Sequence, residues 1–182
     1  MKIKASILIY IIFSFFLICC KKENSKAKLN YNEKANQLIQ QLISEDSCGC
    51  ILEIPKESLI YIHKLETRDS TFEKFILKKL SLKDRNELDS LEKLSENFKI
   101  DENYLKKKNI KLIKRDSVRI FEKDSNFYTK TCKRSFNYFI KPIFNKEYNK
   151  AIIDYGSVGV HGQLGLKFFE YKNNKWKEIN GS

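Results

Sequence analysis

From Tyr31 to Ser44 the apolar residues Ala35, Leu38, Ile39, Leu42 and Ile43 fall three and four apart, so that they share one helix face. Asn30, with Glu33 three residues on, forms a capping pair at the start. The pattern predicts an amphipathic helix. Asp46 to Cys50 interrupts it, and Ile51, Leu52 and Ile54 lead to Pro55, a residue suited to the first turn of a brief helix carrying Leu59, Ile60 and Ile62. Two more helices follow. Asp69 to Thr71 caps a segment with Phe72, Phe75, Ile76 and Leu80 on its buried side; Ser81 with Asp84 caps another, whose Leu88, Leu91 and Leu94 repeat before Phe98. Farther on the period shortens to two. Ile110 and Leu112, Val118 and Ile120, then Phe136, Tyr138 and Ile140 alternate with polar neighbours up to Pro142, which a central strand does not accommodate. Ala151 to Val160 and Leu164 to Lys172 flank the turn His161-Gly162-Gln163, and Asn173-Asn174 turns the chain again toward Trp176 and Ile179. The expected class is α+β, with N-terminal helices packed against a C-terminal antiparallel sheet in a meander.

A different apolar pattern stands at the start. Lys2 and Lys4 precede Ile7 to Ile18, an apolar run of about a dozen residues that matches the core of a signal peptide. It is too short to span a bilayer, which needs roughly 20 apolar residues. The run ends in Leu17-Ile18-Cys19-Cys20, which resembles the lipobox of bacterial lipoproteins, and Cys20 fits its register better than Cys19, which follows the bulky Ile18. The thiol of Cys20 is the nucleophile that accepts a diacylglycerol, and several acyl chains of the palmitate kind hold durably where one binds only marginally. Residues 1–19 are thus expected to be a signal peptide and residues 20–28 a lipidated tether. Residues 29–182 form one α+β domain in this reading, helical over 29–105 and mainly β over 106–182. The expected location is the bacterial cell envelope, exported and anchored by lipid at the outer membrane or periplasmic face.

Charge adds less than its size suggests. The formal net charge is +12, yet 30 of the 35 basic residues are Lys and only five are Arg. Specific nucleic-acid readout leans on Arg forks, and an exported protein seldom meets nucleic acid, so no nucleic-acid partner is expected. Seven basic residues against one acid between Lys106 and Arg119 form a strip that would suit an anionic glycan, the blander alternative being a solvated strand face. The expected partners are the membrane, through lipid at Cys20, and an envelope protein or anionic glycan.

Candidate chemistry is sparse. Cys48, Cys50 and Cys132 remain beyond Cys19 and Cys20, and in an oxidising compartment one disulfide and one free thiol is the simplest assignment, with the pairing left open. A bridge from Cys48 or Cys50 to Cys132 would close a loop of about 80 residues and stabilise by roughly 4 to 5 kcal/mol through chain entropy. The alternative, a strained Cys48–Cys50 pair, would suit thiol-disulfide exchange, although the helix N-terminus that activates such thiols is missing from the pattern. Gly156, Gly159, Gly162 and Gly165 recur every three residues, a spacing that puts successive glycines on opposite faces of a strand and predicts a hairpin with bulges rather than a groove. His161, with Asp154 as orienter and Ser157 as nucleophile, is the weakest enzyme reading, a hydrolase whose serine lies outside any nucleophile-elbow sequence. His63 and His161 are not at metal-ligand spacing. No catalytic, cofactor or metal residue is assigned. A binding or structural module is preferred, the alternative being an envelope enzyme acting at Cys48 and Cys50 or, failing that, around His161.

Three stretches carry a resemblance. Lys141-Pro142-Ile143-Phe144-Asn145, the alanine-led Lys150 to Tyr155, and Glu170 to Trp176 with its Asn-Asn-Lys-Trp turn are similar to a group of uncharacterised Bacteroidetes (flavobacterial-type) lipoproteins with a KPIF segment and an NGKW-like hairpin. Leu82 to Asp89 and Ile110 to Phe121 look like that group as well. The resemblance implies an exported lipoprotein and brings no activity with it.

Overall fold

The computed structural model describes residues 30–45, 49–62, 71–117, 131–132, 136–158 and 164–179. Helix α1 covers residues 30–45, α2 residues 59–62, α3 Thr71–Leu80, α4 Arg85–Leu94 and α5 Glu102–Lys107. The strands are β1 Cys50–Leu52, β2 Lys111–Ile113, β3 Phe136–Phe139, β4 Ile143–Phe144, β5 Lys150–Val158, β6 Leu164–Lys172 and β7 Lys175–Ile179. They form one sheet in the order β2-β1-β3-β5-β6-β7, with β4 also paired to β5. The class is α+β, with helices mostly in the first half of the chain and strands mostly in the second. The meander β5-β6-β7 is antiparallel, and the sheet becomes mixed because β1 lies parallel to both β2 and β3.

Alternation along the strands gives this sheet two buried faces. On one, Ile51, Phe139, Ala151, Ile153, Phe169 and Trp176 meet the apolar stripe of α1 and Leu105 of α5. On the other, Ile152 and Phe168 meet Leu59 and Ile60 of α2, Ile76 and Leu80 of α3 and Leu88 of α4. Leu38 and Ile39 are wholly buried at the centre of α1. Truncating such a residue to alanine costs about 2–5 kcal/mol, so α1 is fixed by its apolar stripe more than by helix propensity.

The polar side of α1 is also engaged. Asn32, Asn36 and Gln40 stand one helical turn apart and hold the extended stretch Lys99 to Asp101. Lys99 N donates to Asn32 Oδ1 at 3.0 Å, Asn36 Nδ2 to Lys99 O at 2.9 Å, Asp101 N to Asn36 Oδ1 at 2.8 Å and Gln40 Nε2 to Asp101 Oδ2 at 3.1 Å. Gln41 does the same for a sheet edge: its amide donates to Trp176 O at 2.6 Å, and its carbonyl accepts from Trp176 N at 2.9 Å. An open strand edge invites pairing with another chain, and this side chain occupies one of its bonding positions.

Capping differs from the sequence expectation at one place. Ser81 does not start α4. It ends α3 with a positive φ of 58°, while Leu82 N donates back to Leu77 O and Ser81 N to Lys78 O, a Schellman closure. Asp84 is the true N-cap, accepting from Glu87 N at 3.0 Å, and Glu87 returns a bond to Lys83 N. The pair of bonds from Lys146 and Lys83 N holds the Glu87 carboxyl below its ordinary pKa. Helix α5 repeats the scheme with Asp101 as N-cap and Asn109 at φ 56° as its terminator.

Strands β3 and β4 are two halves of one run along β5. Phe139 pairs with Tyr155 and Ile143 with Ile152, so four steps on one side match three on the other. The extra residue is a β-bulge at Lys141-Pro142. This is how a proline sits within the sheet: a bulge asks no ladder hydrogen bond of it. Tyr31 of α1 reaches across to this point, its phenol donating to Pro142 O at 2.7 Å.

Burial raises the Tyr31 phenol well above the usual 10.0, a hydrogen bond with Ser95 opposing it and the nearby Tyr148 adding to it. The unfolded chain therefore loses this proton first as pH rises. The stabilisation is fully present below about pH 10 and is lost as pH climbs above it. Tyr31→Phe should lower stability at pH 7 by about 1–3 kcal/mol, since Pro142 O loses its donor, and should flatten the alkaline fall. Urea midpoints of both proteins at pH 7 and above pH 10 check this; parallel alkaline falls would show that another group is responsible.

Candidate functional site

The three parallel strands β1, β2 and β3 end on the same side of the sheet. In open sheets, ligand sites form in the crevice beyond the carboxyl ends of parallel strands, where side chains and loops from several elements converge. A cleft of about 580 Å³ lies there. One wall is Glu53 to Lys56, directly after β1, and the other runs from Phe98, past the end of α4, to Asn103 in the first turn of α5. Leu112 of β2 contributes to the lining, as does Lys141, two residues after β3. Ile54, Pro55, Phe98, Ile100 and Leu112 give it an apolar surface. Its rim carries both signs: Glu53, Glu96, Asp101 and Glu102 against Lys56, Lys99 and Lys106.

Lys141 is the unusual member. It is 4% exposed, and its ammonium donates to Lys56 O at 2.5 Å and Ser95 O at 3.2 Å, joining the loop before α2 to the C-cap of α4. Desolvation lowers its pKa from the usual lysine value, while the fields of Glu57, Glu96 and Glu92 oppose that shift. The ammonium is thus held in place by two backbone carbonyls. Lys141 also borders a second cleft of about 310 Å³, which shares Lys56 and Glu96 with the first. A third, amide-lined groove of about 520 Å³ runs along α1 on the far side of Lys99 to Asp101.

The residues singled out from sequence are distributed elsewhere. Cys50 is bonded to Cys132, with Cα atoms 5.3 Å apart and a sequence separation of 82. Both sulfurs lie in an apolar nest with Leu52 and Phe136, and Ile113 and Tyr138 pack against it. Cys48 and Cys20 lie outside the described residues, as do His63, His161, Gly159 and Gly162. Asp154 accepts from Tyr138 OH at 3.2 Å. Ser157 sits three residues along the same strand and therefore on the opposite face, so β5 does not bring these two together. Gly165 adopts φ +137°, a backbone conformation that side-chain-bearing residues rarely take. The described part of the basic strip is divided among the end of α5, the edge strand β2 and the turn Arg115–Ser117. Lys106 and Lys107 complement the helix C-terminus, Lys111 blunts the sheet edge, and Arg115 Nε donates to Glu53 O at 2.9 Å.

Sequence reading missed the cleft itself, since its lining comes from separated stretches. Lys141 had one signal: a lysine beside a proline, within an otherwise apolar alternation.

Gly49 explains the local spacing of the Cys-Gly-Cys segment. A Cβ on it would stand 2.9 Å from Cys132 O, closer than real Cβ atoms approach, so the backbone of Cys132 can pass only because the residue is glycine. Gly49→Ala should cost about 1–3 kcal/mol through overpacking and make the bridge easier to reduce. Urea midpoints, with the rate of cleavage by dithiothreitol, measure both, and an unchanged midpoint would mean that the Cys132 segment yields freely. Compared with known proteins, the chain matches no family model, and no curated protein or solved structure is significantly similar to it.

Proposed function

We propose that this chain is a lipoprotein of the bacterial cell envelope, exported by residues 1–19, anchored through lipid on Cys20 and acting there as a binding module. The observation that carries the reading is the register of Leu17-Ile18-Cys19-Cys20 at the end of an apolar run too short to span a bilayer. The buried Cys50–Cys132 bridge supports it from an independent direction, because such bridges persist in oxidising compartments and are rare in the cytosol. That Cys50 is committed to Cys132 favours a structural cystine over thiol-disulfide exchange with Cys48. The KPIF and Asn-Asn-Lys-Trp segments, similar to those of Bacteroidetes lipoproteins, support the same setting. Binding rather than catalysis is favoured by the cleft, whose lining pairs apolar side chains with lysines and carboxylates of nearly balanced charge.

The anchor is tested by growing a bacterial host that expresses the full chain with an alkyne-bearing palmitate. The wild-type protein should take up label and sediment with membranes, and so should Cys19→Ala. Cys20→Ala should lose the label. Label retained by Cys20→Ala, or a wild-type protein of unmodified mass, would sink the reading.

A further inference from the structure

We propose that the cleft beyond β1, β2 and β3 receives a short zwitterionic peptide, whose carboxylate meets Lys141 and whose side chains lie over Ile54, Phe98 and Leu112. The inference deepens the reading of the chain as a binding module and rests on it. Lys141 carries three N–H donors, two of which are taken by Lys56 O and Ser95 O. The third has no acceptor among the described residues. A carboxylate is the strongest partner for such a donor in a partly desolvated site, and Lys141 is among the residues that line the cleft.

The surrounding charges decide which carboxylate fits. The fields of Glu57, Glu96 and Glu92 already act on the Lys141 ammonium, so a polyanion approaching it would be repelled, whereas a single carboxylate balanced by an ammonium would be repelled less. Glu53 and Glu96 on the lining offer that second charge a partner. The apolar floor adds the contact area that a bare amino acid would use poorly, and about 580 Å³ falls within the usual range for small-ligand sites. Peptide rather than polyanionic glycan is the occupant these features select.

The experiment uses the full chain carrying Cys20→Ala, purified in detergent, so that lipidation plays no part and the outcome is separate from that of the anchor test. Its 15N-labelled amides are followed by NMR during titration with a pool of tripeptides of fixed central leucine and free termini. Signals of Ile54, Lys56, Phe98, Ile100 and Leu112 should shift, and the same pool acetylated and amidated should bind about tenfold more weakly, the loss expected for a charge-assisted hydrogen bond. Lys141→Met should show a comparable loss. Should that variant fail to fold, Leu112→Lys, at a residue 39% exposed on the cleft lining, weakens binding without touching the core. Unmoved cleft signals, equal binding of the capped pool, or full binding by Leu112→Lys would overturn the proposal while leaving the anchor result standing.

Discussion

One extra residue in one strand governs how this molecule is held together. The bulge at Lys141-Pro142 lets β3 and β4 follow β5 in succession, and the four residues from Lys141 to Phe144 fasten the helical layers on both faces. Lys141 ties the loop before α2 to the end of α4, and Pro142 O receives the Tyr31 phenol of α1. Ile143 enters the core beneath α2, α3 and α4, while Phe144 packs on Tyr31, Tyr148 and Trp176 on the opposite face. A regular strand would send alternate side chains to alternate faces and leave no residue free to reach sideways. The bulge supplies that freedom, and the segment that looks like punctuation in sequence is the junction of both helical layers with the sheet.

Next to it, Asn145 completes the turn into β5. Its carbonyl accepts from Asn149 N at 3.0 Å and Lys150 N at 2.9 Å, and its amide donates to Glu147 and Asn149 at 2.7 Å each. These bonds hold Tyr148 at a positive φ of 52° with its ring against Phe144. Backbone strain at Tyr148 is thus balanced by aromatic packing and by an almost fully satisfied buried amide. The Lys-Pro-Ile-Phe-Asn run is a local solution to one problem: turning a strand around its own register shift while keeping the buried Asn145 amide bonded.

Legibility in sequence followed the length of the repeating pattern. Helix α1 could be read because its stripe continues over three turns, and β5, β6 and β7 because their runs are bounded by turn residues. β1 could not, since three residues such as Cys50-Ile51-Leu52 carry no period that separates a strand from a loop, and β2, where the alternation of Ile110 and Leu112 marks a strand, gave no sign of its partner. Their parallel pairing depends on contacts more than 60 residues apart, as between Cys50 and Lys111. Ser81 was misread as a cap because a serine before an acidic residue satisfies the same composition rule at a helix end and at a helix start; the backbone sign, not the residue type, distinguishes them. The amide ladder of Asn32, Asn36 and Gln40 went unread, because nothing in a four-residue spacing of amides names Lys99 to Asp101 as its partner. The cleft was invisible for a related reason: it exists only where β1, β2 and β3 end together.

The placement of a buried lysine on the lining of that cleft bears on what the site is for. An apolar residue of similar length would spare the desolvation cost of the ammonium, and a buried charge is a poor source of net stability even when well bonded. If Lys141 served packing alone, the two carbonyls it satisfies could each be met by a neutral donor or by water. What a lysine adds is a fixed positive charge with one donor left over, at the point where two clefts meet. Burial lowers the pKa of that ammonium, and the fields of Glu57, Glu96 and Glu92 oppose the shift. A structural brace would be better served by full neutralisation. A group held charged, oriented by two carbonyls and left with spare bonding capacity is better matched to a negatively charged atom arriving from outside, and this arrangement follows from the same bulge that secures the fold.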